Sequence, residues 1–196
     1  PAGAIAARGI RLYRRDPRHL LNAIGTLVLP LILLGSTAIG GQSLDARLAL
    51  FLPLIMSLMV LQVSQLSLAY DKDALALHVL AGVSGRADRT GRVLASGIVL
   101  GPMVVAATVA VAAVTNGWTL LPAGLGAAVG AALVAAGVGT AVGAFLPGRA
   151  PAPEAGPFGR GSSGGAQSLA ALAIMAPITA LASAPAVALA IASAIW

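Results

Sequence analysis

Cysteine is missing altogether from the 196 residues, which removes disulfides, thiol nucleophiles and thiolate metal sites. Charge is almost as scarce: 9% of residues are Asp, Glu, Lys or Arg, against 58% hydrophobic and a mean hydropathy of +0.94. A soluble domain needs a polar surface over its core, and so few charges exclude one. There is no G-x-x-x-x-G-K-[ST] phosphate loop, so the chain has no ATP site of that kind. No ionisable residue sits deep in an apolar run, which argues against a proton- or ion-coupled carrier. Nothing in the sequence calls for a cofactor, a metal or a nucleic acid.

What is present is a succession of apolar runs. They predict an all-α, polytopic membrane bundle of about six transmembrane helices, preceded by an amphipathic amino-terminal interfacial helix over residues 1–19. Within 20–196 the spans fall near 20–40, 48–70, 93–115, 118–146, 167–181 and 185–196. The last is short for about 30 Å of hydrocarbon at about 1.5 Å per residue, so it is either truncated or part of one broken helix with the fifth. A chain that begins at Pro1 without an initiator methionine is expected to be a segment of a longer one.

Orientation follows from arginine and lysine in the connections. Eleven lie before the first span, in the loop between the second and third, or in the loop after the fourth; Arg47 alone lies on the other side. This places the amino terminus in the cytoplasm and the protein in the plasma membrane. Arg8, Arg11, Arg15 and Arg18, spaced 3, 4 and 3 apart, line one face of the first helix and suit anionic headgroups of the lipid bilayer. Asp16-Pro17 is placed to end or bend that helix.

The segment YDKDALALHVLAGVSGRADRTGR, Tyr70 to Arg92, holds seven of the chain's eighteen charged residues. Its middle, 73–83, predicts a short amphipathic helix, with Asp73 as N-cap and Gly82 and Gly85 as terminators. Such a segment is either a loop charged by topology or a docking element for a soluble partner.

This segment, with the RGIRLYRRDPRHL stretch before the first span and LPGRAPAPEAGPFGRGSSGGAQ after the fourth, resembles the ABC-2 type permeases, the membrane subunits or halves of ATP-driven exporters, particularly those of actinobacteria. The resemblance implies a partner ATP-binding cassette subunit and a second permease half or homodimer partner. It also implies that the loop carrying Asp71, Lys72, Asp73, His78, Arg86, Asp88 and Arg89 couples the ATPase to the spans.

Inside the second span Ser57, Gln62, Ser64 and Gln65 form two overlapping stripes, which either line a translocation path or bond neighbouring helices. In the fourth, Gly126/Gly130 and Gly139/Gly143 are Gly-x-x-x-Gly pairs that permit close helix approach. Gly82-Val83-Ser84-Gly85 resembles the serine motif of rhomboid-type proteases, but neither His19 nor His78 lies on a separate helix facing Ser84. Asp71, Asp73 and Asp88 are the only candidate carboxylates for a metal-dependent lipid transferase and their spacing matches no such motif, so no enzyme is expected. The reading that results is an exporter permease. Its alternatives are a non-transporting membrane anchor or assembly subunit that recruits a cytosolic partner, and a membrane-embedded lipid-modifying enzyme.

Overall fold

Ser84 starts the longest element of the molecule. Its backbone is extended and its hydroxyl accepts the Ala87 N–H at 3.3 Å, satisfying one of the free donors of a helix N-terminus. Asp88 follows in the first turn, where a carboxylate opposes the positive end of the helix dipole. The helix then runs without interruption to Thr115, where Asn116 adopts a left-handed conformation (φ 55°) and the Gly117 N–H turns back onto the Ala112 carbonyl at 2.9 Å.

The computed structural model describes residues 1–17, 19–21, 23, 24, 28, 32, 35, 36, 52–71, 74–146 and 169–178. The helices are α1 (Ala2–Arg15), α2 (Leu52–Leu66), α3 (Ala74–Leu80), α4 (Gly85–Thr115), α5 (Leu121–Phe145) and α6 (Leu169–Ile178), with a short 3-10 turn at Trp118–Leu120. The described residues between 17 and 36 are helical too, and no strand occurs among the described residues. The fold is therefore all-α.

α4 and the stretch Trp118–Phe145 are long and apolar enough to cross a membrane. At about 1.5 Å per residue α4 extends about 46 Å, well beyond the roughly 30 Å of a hydrocarbon core. Ile98, Val105, Val109 and Val114 of α4, and Val129 and Leu133 of α5, stand exposed on the outside of the packed helices.

α2 packs most extensively on α5, α1 on α4, and α4 on both α5 and α2. The common core holds Met56, Val60, Leu100, Val104, Ala128 and Ala135. Small residues set how close these helices come. A side chain at Gly139 would meet the Leu61 carbonyl at 2.6 Å and Ser64 Cβ at 2.8 Å, and one at Gly143 would collide with the backbone of Gln65. Gly126 and Gly130 face open space, so only the second of the two glycine pairs makes a helix contact among the described residues.

Several boundaries differ from the sequence reading for physical reasons. The third apolar run begins at residue 93, but its helix begins eight residues earlier, because the Ser84 cap and the Asp88–Arg92 pair make the polar GRADRTG stretch helical. The second span yields helix over Leu52–Leu66, followed by turns to Asp71. The loop helix is shorter than 73–83, at Ala74–Leu80. α1 stops at Asp16, whose backbone is extended. Of the fifth run only Leu169–Ile178 is described, and the sixth (185–196), the 147–166 loop and Arg47 lie outside the described residues.

Candidate functional site: an ion-paired ring at the polar end of the bundle

Arg92 is the hub. It sits two turns into α4, nearly buried, and every nitrogen of its guanidinium is engaged. Nε donates to Asp88 Oδ2 at 2.8 Å and Nη2 to Asp88 Oδ1 at 3.0 Å, a bidentate pair one turn back along the same helix. Nη2 also donates to the carboxylate of Asp71, beyond the end of α2, and Nη1 to the Ser67 carbonyl at 2.9 Å. Asp71 in turn receives Arg8 Nη2 of α1 at 2.8 Å.

His78 of α3 closes the circuit. Arg8 Nη1 donates to its Nε2 at 3.0 Å, and its Nδ1–H donates to Asp88 Oδ1 at 3.3 Å. The sequence Arg8, Asp71, Arg92, Asp88, His78 and back to Arg8 is thus a closed ring that joins α1, the end of α2, α3 and α4. Charges taken out of water are costly unless each meets an opposite charge with good geometry, and the ring supplies that at every position.

Beside it lies a cavity of about 40 Å³ between α1 and α4, whose wall includes Arg8, Tyr13, His19, Asp71, Arg92 and Ser96. That is space for roughly three waters at about 10–15 Å³ of probe volume each. Tyr13 packs edge-on to His19 (centroids 5.1 Å apart), which lies 3.9 Å from Tyr70. Burial pushes the Tyr13 phenol above its ordinary value, so it stays neutral. Gly9 and Gly91 let α1 lie this near to α4: a side chain at Gly91 would meet the Ala2 carbonyl at 2.7 Å.

The residues expected to couple to a partner divide into two groups. Asp71, His78 and Asp88 belong to the ring and point inward. Arg89 reaches across to α5, where Nη1 donates to the Thr140 carbonyl at 2.6 Å. Arg86 is exposed, and Lys72 and Asp73 lie outside the described residues. Of the arginines expected at the membrane interface, Arg11 and Arg15 are exposed, Arg8 turns into the ring, and Arg18 lies outside the described residues. In α2, Ser57, Ser64 and Gln65 are buried, whereas Gln62 faces outward, so the four do not act as one surface. Ser64 and Gln65 lie in the seam against Gly139 and Gly143.

Ser84 is spoken for as the cap of α4, and His78 bonds to Arg8 and Asp88. No group of three or more His, Cys, Asp or Glu able to hold a metal occurs among the described residues. Sequence reasoning counted Arg92 only as a topology charge. The signal for its role was the Asp88–Arg92 spacing of four on a helix. Tyr13 and Tyr70 carried no signal at all, since their meeting through His19 depends on tertiary packing.

The site and fold define a helical protein with two helices suited to a membrane and a charged junction at one end. No family model, no characterised protein and no solved structure matches the chain.

Proposed function

We propose that the chain is the membrane-spanning permease component of an ATP-driven ABC exporter, a bundle of about six spans in the plasma membrane with its amino terminus and polar end in the cytoplasm. In this reading a separate ATP-binding cassette subunit docks on α3, and a second permease half or a second copy completes the transporter. The observation that carries the reading is α3 itself. Leu77, Val79 and Leu80 are 64, 71 and 82% exposed, beside an exposed Arg86. Three large apolar side chains on a seven-residue helix are poor solvent-facing choices and good anchors for a partner groove. The ring supports the same reading, because it ties α3 to α4, the helix through which a push at the surface would enter the membrane.

The test is co-purification of the full-length protein with its candidate ATPase subunit, comparing wild type with Leu77→Asp/Leu80→Asp and with Arg86→Glu. These side chains are exposed, so insertion and folding are expected to survive. Arg89 is unsuitable for the purpose because it holds α5. Loss of the ATPase in both variants is the expected result. Retention of the ATPase in both, or no ATPase partner for the wild type, favours the membrane-anchor reading instead.

A further inference from the structure

The ring closes in only one protonation state. A guanidinium has no acceptor, so the 3.0 Å contact from Arg8 Nη1 requires a lone pair on His78 Nε2. Asp88, already accepting two bonds from Arg92, requires the proton on Nδ1. Both demands are met by the neutral imidazole with hydrogen on Nδ1. A second proton would convert Nε2 from acceptor to donor and set two cationic donors face to face across the Arg8–His78 edge. The Nδ1–Asp88 edge would be strengthened by the same event, since a cation then faces a carboxylate.

We propose that His78 is a proton-operated latch: neutral, it fastens α1 to α3; protonated, it releases α1 while holding α3 to α4 more firmly. The charged groups around the imidazole are Arg8 from α1, Asp71 from the end of α2, and Asp88 and Arg92 from α4. Arg8 loses nothing essential on release, because Asp71 still holds it at 2.8 Å. The edge that opens is therefore confined to the α1–α3 contact. Arg8 is the most exposed side chain of the ring at 39%, against 18% for His78, so water has access to that edge first. The proposal rests on the ring alone and holds whether or not α3 meets an ATPase.

The absence of cysteine makes the test direct. Ala4→Cys in α1 and Leu80→Cys in α3 replace exposed residues outside the ring, and spin labels on them report the α1–α3 distance in the full chain in lipid nanodiscs. As the pH is lowered from mildly alkaline to mildly acidic buffer, the short-distance population is expected to be lost. The same titration with His78→Gln, and separately with Arg8→Gln, is expected to show no pH response, since the first has nothing to protonate and the second no cation to repel. With His19→Gln the response should remain. A wild-type distance indifferent to pH, or a response that survives in His78→Gln or Arg8→Gln, overturns the latch. Should His78→Gln fail to fold, the Arg8→Gln titration decides by itself.

Discussion

Two helix junctions, α1 on α4 and α2 on α5, are both made close by glycine, yet they are held by different forces. At α1–α4 the glycines bring charged side chains within bonding reach, and the contact is finished by five ionisable groups. At α2–α5 the glycines bring backbone against backbone, and the contact is finished by shape, with Ser64 Oγ and Gln65 Nε2 buried and without a hydrogen-bond partner among the described residues. One junction therefore depends on electrical completeness in addition to the close approach at Gly9 and Gly91. The other depends on volume and tolerates loss of polar groups.

The largest way to break this contrast is at the hub. Arg92→Ala leaves Asp71 and Asp88 with far less compensation, and a cost on the order of 3–5 kcal/mol is expected from a broken buried pair. Thermal unfolding of the detergent-solubilised protein measures it. Arg8→Ala in the same assay should cost on the order of 1 kcal/mol or less, because Arg8 is part-exposed and Asp71 keeps Arg92. Equal effects from the two would mean that Arg92 is not the hub.

Next in size is Gly143→Val, where the neighbour is backbone that cannot give way; an overpacking cost of about 1–3 kcal/mol is expected. Gly126→Ala, made where a side chain meets open space, should be neutral or stabilise by up to about 1 kcal/mol through helix propensity. The same assay compares the two, and a loss at Gly126 as large as at Gly143 would dissolve the distinction between the glycine pairs. Smallest is Ser64→Ala. Removing a buried hydroxyl that has no hydrogen-bond partner among the described residues should leave stability unchanged or raise it by about 1 kcal/mol, whereas a clear loss would reveal a partner for that hydroxyl.

The helices that periodicity and apolarity govern were the most legible. Val93–Thr115 and 118–146 fall on long helices, and Asp16-Pro17 does end α1, because proline disfavours the helical conformation of the residue before it. Composition concealed the first turns of α4. GRADRTGR reads as loop by its polarity, while the Ser84 cap and charge pairs at spacing four make it helix. The ring was half legible: its carboxylates and His78 stood out as scarce charges, but whether they faced a partner or one another depended on where α1 came to rest. Likewise, two identical glycine motifs in α5 differ only in what lies opposite, which no local pattern records.

The length of α4 gives its exposed end mechanical leverage. From Gly85 to Pro102 the helix is a rod of about 26 Å, since each residue adds about 1.5 Å of stiff, hydrogen-bonded backbone. Pro102 removes one rung of that bonding and marks the point where the rod bends most readily. A sideways displacement at the Ser84 end, gripped by Arg92 and Arg89, therefore travels as a tilt and not as local unwinding. The tilt would be passed to the apolar part of the helix, with Pro102 as its pivot.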